Sequence, residues 1–202
     1  IGKGAALARQ GEAREVGKRP LKQDCAASLD PPVEGKVAFM FSGQGSQYVG
    51  MGSDLAMAFP AAREIWDRAA GHKRTGDLRL DRLAFPPNAF DQLDFGTQTQ
   101  RLTEMQHAQP AIAAVALSQL ALLDTLGLQP DMTAGHSFGE IMALHQAGVM
   151  DVDTALTVSA ERGAQMAVAA SASEGAMLAV QTDADTINGL IEKTGLSVVL
   201  AN

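Results

Sequence analysis

The stretch from Asp131 to Ala147 constrains this chain more than any other. Asp131 to Ala134 reads as a brief strand, Gly135-His136-Ser137-Phe138-Gly139 as a sharp turn, and Phe138 to Ala147 as a helix closed by Gly148. A hydroxyl stands clear of the backbone at such a turn only when the residues two positions to either side are very small. Gly135 and Gly139 meet that demand. Ser137 is therefore a candidate nucleophile, and the N–H of Phe138, at the start of the helix, is placed to donate to an oxyanion. A plainer reading stays open. Ser137 and Glu140 also form a capping box, in which the serine only satisfies helix N–H groups.

A second turn follows a strand in the same way. Val37 to Phe41 is a β-branched and aromatic run that reads as a buried strand, and Ser42-Gly43-Gln44-Gly45-Ser46-Gln47 comes directly after it. Its glycines let backbone N–H groups face a bound group, so it can complete an oxyanion hole or serve only as a tight turn. It is no phosphate loop, because Met51-Gly52 stands where Lys and Ser or Thr belong.

Asp54 to Ala70 reads as helical with a restart at Pro60 and a stop at Gly71, and residues 71–103 as an irregular excursion. Pro110 fits a first helical position, and Ala111 to Leu126 is apolar on most sides, as a buried helix is. A helix from Val152 to Ala170 carries Arg162-Gly163. An interior helical glycine costs about 1 kcal/mol relative to alanine, a cost that close approach of another backbone would offset. Arg162 can then present its planar fork to a carboxylate, though an arginine on a helix is commonly a solvated surface group. Ala176 to Val180, Ala184 to Lys193 and Ser197 to Ala201 read as strand, helix and strand of a separate small subdomain.

With 202 residues, 46% of them apolar, the chain can build one sizeable core. A net charge of -7 argues against nucleic acid as a partner. Cys25 is the single cysteine, so an intrachain disulfide is impossible, and a reducing, cytoplasmic setting is expected. No apolar run is long enough for a membrane span. Residues 1–34, with Lys3, Arg9, Arg14, Lys18, Arg19, Lys22 and a closing Pro31-Pro32, read as a linker. A start without Met and an end at Asn202 inside an apolar run read as a piece of something longer. His72, His107 and His145 lie in no motif, and no metal-ligand spacing is present.

Five motifs in order, GQGSQ at 43–47, QPA at 109–111, GHSFGE at 135–140, ERGAQM at 161–166 and GAMLAV at 175–180, resemble the malonyl-CoA acyl carrier protein acyltransferase family over residues 36–202. GHSFGE looks most like polyunsaturated fatty acid or polyketide synthases, and the linker looks like the one between a ketosynthase and an acyltransferase.

The resemblance implies an α/β-hydrolase-like large subdomain, here residues 35–172, and an inserted ferredoxin-like small subdomain beginning in residues 173–202. The site would lie in the cleft between them. It implies that Ser137 attacks malonyl-CoA, and that the phosphopantetheine thiol of an acyl carrier protein then takes the acyl group, with no bound cofactor. Gln44 and Phe138 would supply oxyanion N–H groups, Arg162 would hold the free carboxylate, Gln109 would help shape the pocket, and His136 would support the turn with its side chain pointing away. An apolar acyl chain would leave the arginine unpaired, which favours a dicarboxylic substrate. The family's histidine base is expected beyond Asn202, so the segment alone is not expected to turn over. Two other readings are a serine hydrolase or thioesterase, which would not need Arg162 together with GQGSQ, and a non-catalytic carrier-protein docking element whose serine is a helix cap.

Overall fold

In the computed structural model, residues 34–71, 79–172, 178 and 180–200 are described. Two short strands, β1 (Ala38–Phe41) and β2 (Met132–Gly135), pair in parallel, with Ala38 opposite Met132 and Phe41 opposite Gly135. Parallel pairing demands a long crossover, which the helices between the two strands supply. The pairing sets the carboxyl ends of both strands side by side, where α/β folds place ligands. It extends one step further, since the N–H of His136 donates to the carbonyl of Phe41 at 3.1 Å. The two turns singled out in the sequence thus become neighbours.

The crossover begins with α1 (Ser53–Ala58) and α2 (Pro60–Ala70), broken at Phe59, whose extended backbone precedes Pro60 at the first helical position. Arg63 closes the end of α1, donating from Nε to the carbonyl of Ala56 and from Nη2 to that of Met57. Two further helices, α3 (Leu80–Ala84) and α4 (Gln92–Thr103), occupy the region that the sequence marks as an irregular excursion. That expectation is corrected. Of the residues of α4 only Leu102 is buried, so the helix lacks the apolar stripe that reveals helices. It is set instead by its cap, Asp91, which accepts from the N–H of Asp94 at 2.9 Å.

Helix α5 (Met105–Thr125) runs through the core, burying Ala108, Ala111, Ile112, Ala113, Ala114, Leu117 and Leu120. It starts five residues before Pro110, so the expectation of Pro110 as its first residue is corrected as well. The missing N–H of Pro110 leaves only the Gln106 carbonyl, in the first turn, without its usual intrahelical donor. Small residues along α5 let α7 (Val152–Ala172) pack close. The tightest point is Gly163, where an added Cβ would lie 2.5 Å from the carbonyl oxygen of Met105. A backbone approach at this glycine is what the sequence leads one to expect.

Between β2 and α7, α6 (Gly139–Gln146) sits on the sheet and buries Met142 and Ala143. Trp66 packs against Phe85 with the rings tilted by 57° and their centroids 4.5 Å apart, adding an aromatic pair to the core around Leu80, Leu102, Leu117, Phe138 and Leu156. Beyond α7, α8 (Ala184–Thr194) is capped by Asp183 and buries none of its residues. The expected strand at Ser197 to Ala201 does not form in its described part, residues 197–200, which pair with no described strand. Most of the other expected strand, Ala176 to Val180, lies outside the described residues. No described helix is long and apolar enough to cross a membrane.

Candidate active site

Ser137 has φ +52°, the one non-glycine residue with positive φ among those described. An L-residue held in the left-handed region costs on the order of 1–3 kcal/mol, so the surroundings must enforce the conformation. They do so through the two glycines. A Cβ on Gly135 would strike the backbone of Gly139 and Glu140, and one on Gly139 would strike the carbonyl of Phe41. Phe138, fully buried, anchors the turn into the core. The strand, the turn and the helix are packed so closely that no side chain fits at either flank.

The hydroxyl of Ser137 does not cap α6, whose N-terminus has no side-chain hydrogen bond. The capping-box reading is thereby set aside. Its partner is Arg162, one guanidinium nitrogen of which, Nη2, lies 3.4 Å from Oγ. The other, Nη1, donates to Oε1 of Gln109 at 2.8 Å. Gln109 is fully buried on α5, and its Nε2 donates to Oε1 of Gln44 at 3.1 Å and to Sδ of Met166 at 3.2 Å. Four residues singled out in the sequence, Gln44, Gln109, Ser137 and Arg162, therefore meet in one hydrogen-bonded network drawn from β1's turn, α5, the elbow and α7.

The turn after β1 braces itself. Ser42 Oγ donates to Ser46 Oγ, Ser46 Oγ to the carbonyl of Gly43, and Gln47 Oε1 accepts from the N–H of Gly45 at 2.8 Å. No acceptor among the described residues is paired with the N–H of Gln44 or of Phe138. His136 is exposed, and it packs on this turn. A Cβ on Gly43 would lie 2.7 Å from the His136 carbonyl oxygen and 3.1 Å from Nδ1. Its ring thus lies against the neighbouring turn and makes no hydrogen bond with Ser137.

Sequence reasoning missed Met166 and the bracing pair Ser42 and Ser46. The signal for Met166 was its place four residues after Arg162, one turn along the same helical face. A cavity of about 490 Å³ lies beside the turn, lined among others by Met40, Ser42, Ser46, Tyr48, Met51 and Val115. Ser137, Gln109 and Arg162 do not line it. The hydrogen-bonded network is the better guide to the site, because the enclosed space lies apart from the strained serine.

No ion pair of Arg162 is present among the described residues, so a half-buried positive charge faces the serine with only neutral partners. That arrangement suits an incoming carboxylate. His107 Nδ1 is engaged by the carbonyl of Arg101 at 2.9 Å and His145 Nδ1 by that of Met150 at 2.9 Å, and neither hydrogen-bonds Ser137. His72 lies outside the described residues. Among the described residues no cluster of His, Cys, Asp or Glu could hold a metal ion.

Comparison with known proteins points the same way. The spectinabilin polyketide synthase system protein NorB of Streptomyces orinoci is 42% identical over 134 residues, 66% of this chain and 6% of that protein. The malonyl CoA-acyl carrier protein transacylase of Bacillus subtilis is 37% identical over 128 residues, 63% of this chain and 36% of that protein. This chain thus spans well under half the length of either. Among solved structures, MCAT from Streptococcus pneumoniae superposes with a TM-score of 0.66 at 35% identity, over 81% of this chain and 50% of that one. The family model for the acyl transferase domain matches residues 38–202, and with the strained serine at its strand-to-helix turn, the chain belongs to the acyl transferase domain family.

Proposed function

We propose that the protein carrying this chain moves a malonyl, or similar dicarboxylic, acyl unit from coenzyme A to the phosphopantetheine thiol of an acyl carrier protein through an ester on Ser137. The observation that carries this reading is the placement of Arg162 beside Ser137, with Nη2 3.4 Å from Oγ. A hydroxyl next to an arginine without an acidic partner suits a substrate with a carboxylate at one end and an electrophilic carbonyl at the other. The relatives' names agree in class, one being a malonyl CoA-acyl carrier protein transacylase and another part of a polyketide synthase system.

In this reading Arg162 pairs with the free carboxylate and so fixes the distance from it to the thioester carbonyl. Ser137 Oγ attacks that carbonyl as its proton passes to a base, and the oxyanion is held by the N–H groups of Gln44 and Phe138. Phe138 is fully buried, so its amide must be uncovered as substrate enters. Collapse of the intermediate expels the coenzyme A thiolate and leaves the seryl ester. The carrier thiol then attacks the ester, and Ser137 recovers its proton. The base is a histidine of the kind the family resemblance implies, not His107 or His145, neither of which hydrogen-bonds Ser137. His136 steadies Gly43 and its turn.

The domain reading follows from the same family likeness. Residues 1–34 serve as a linker, residues 35–172 belong to an α/β-hydrolase-like subdomain, and residues 173–202 begin a ferredoxin-like one, a division supported by the lack of buried residues in α8. A neighbouring ketosynthase and a cytoplasmic setting fit the synthase relatives. The test is to incubate the full-length protein with labelled malonyl-CoA and a phosphopantetheinylated carrier protein. Label on the carrier is expected. Free malonate in place of loaded carrier would mark a thioesterase and overturn the proposal.

A further inference from the structure

Gln109 is the side chain that touches both halves of the site, and its orientation is dictated by its neighbours. A guanidinium offers only donors, so Oε1 of Gln109 must face Arg162, which leaves Nε2 for Gln44 Oε1 and Met166 Sδ. Turning the amide over would set donors against donors and an oxygen against the oxygen of Gln44. With Gln109 fully buried, neither mismatch could be relieved by water.

Arg162 is held unequally by its two partners. The bond from Nη1 to Gln109 is 2.8 Å, while Nη2 lies 3.4 Å from Ser137 Oγ, beyond the ordinary range for such bonds. The Gln109 end is therefore the anchor and the Ser137 end the one that yields. A guanidinium that pivots on Nη1 exchanges a weak contact with a hydroxyl for a charge-assisted pair with a carboxylate, and it keeps its buried partner while doing so.

We infer that Gln109 is a positioning residue that fixes Arg162 over Ser137, so that the arginine covers the nucleophile until a substrate carboxylate draws it aside, and that Gln109 ties this clamp to the oxyanion turn through Gln44. The inference rests on the proposal that Ser137 is the nucleophile and Arg162 the clamp. An acyl group without a carboxylate gains nothing from the pivot and meets a covered hydroxyl, so Gln109 contributes to selection among acyl thioesters without touching them.

The test measures seryl ester formation on the full-length protein, by rapid quench and intact mass, with malonyl-CoA and separately with acetyl-CoA. Gln109→Leu is expected to slow malonylation by roughly tenfold or more and acetylation by clearly less, since both thioesters share the oxyanion turn and only malonyl needs the clamp, so that the ratio of the two rates falls. Gln109→Glu keeps an oxygen for Nη1 but pairs the guanidinium with a carboxylate that competes with the substrate's, and the ratio is expected to fall again. Arg162→Ala supplies the reference for a site with no clamp. A malonyl-to-acetyl ratio within about twofold of wild type in both Gln109 variants would overturn the inference. Equal loss with both thioesters in both variants would overturn it too, since that is what a purely structural glutamine gives. If Arg162→Ala abolishes the preference and the Gln109 variants keep it, the inference alone fails. If wild type takes no malonyl group on Ser137, the functional proposal fails first and the inference with it.

Discussion

Nη2 of Arg162 lies 3.4 Å from Oγ of Ser137, although 25 residues separate them along the chain. The elbow supplies the hydroxyl and α7 the guanidinium, and the packing of α7 on α5 decides whether they meet.

Replacing Arg162 should therefore act on the acyl unit chosen more than on the serine's chemistry. Arg162→Ala is expected to lower the rate of malonyl ester formation by roughly 10- to 100-fold, the worth of a charge-assisted hydrogen bond. Acetyl ester formation should hold or rise. Arg162→Lys should recover only part of the malonyl rate, because an ammonium cannot hold Gln109 and a carboxylate in the same planar fork. Single-turnover acylation with the two thioesters reads both effects.

Gly163 sets the spacing that brings Arg162 into place. In Gly163→Ala the new Cβ would lie 2.5 Å from the Met105 carbonyl oxygen, so α5 and α7 must part. A loss of about 1–3 kcal/mol in unfolding free energy is expected from such overpacking, even though alanine favours helix. Denaturant unfolding checks the stability, and a fall in malonylation greater than in acetylation would show that the displaced helix carries Arg162 with it.

Gly135 and Gly139 leave the elbow no alternative, since a Cβ on either runs into backbone rather than into a flexible side chain. Gly139→Ala is expected to displace β1 from α6 and to cost about 3 kcal/mol or more. Soluble expression and thermal unfolding should both fall well below those of Ser137→Ala. Ser137→Ala itself should hold or gain stability, because it removes no cap from α6.

Acid should loosen the start of α7. The Thr154 hydroxyl and N–H hold the carboxyl of Asp151 below its ordinary value of 3.8. A carboxylate lowered on folding contributes stability above its unfolded pKa, and that contribution is lost as pH falls through the folded value. The difference in unfolding midpoint between wild type and Asp151→Ala is expected to be constant near neutral pH and to shrink below about pH 4. A difference that grew on acidification would contradict the assignment.

The parts of the fold that were legible in the sequence are those where one physical demand leaves few residue choices. Flanking glycines and an interior helical glycine mark the elbow and the α5–α7 contact, because close backbone approach excludes side chains. The apolar run Val37 to Phe41 marks β1, but the expectation of a buried strand is corrected, since none of its residues is buried. Helix α4 was not legible because Gly96, three threonines and three glutamines break its apolar stripe, and the Asp91 cap is a weak signal without that stripe. The start of α5 was misplaced because Pro110 is a strong marker of a first helical position, yet here the helix tolerates it one turn further in. Individual site residues could be named from the motifs, but their coupling could not. That Gln109 bridges Arg162 and Gln44 depends on packing across 53 and 65 residues of sequence, which no local pattern encodes.

The most direct measurement is the intact mass of the full-length protein quenched after brief exposure to malonyl-CoA, alongside Ser137→Ala. One added malonyl group on wild type, mapped to Ser137 by peptide fragmentation and absent from the variant, is the expected result. An unmodified wild-type protein, or an adduct that persists in Ser137→Ala, would contradict the assignment of Ser137 as the nucleophile.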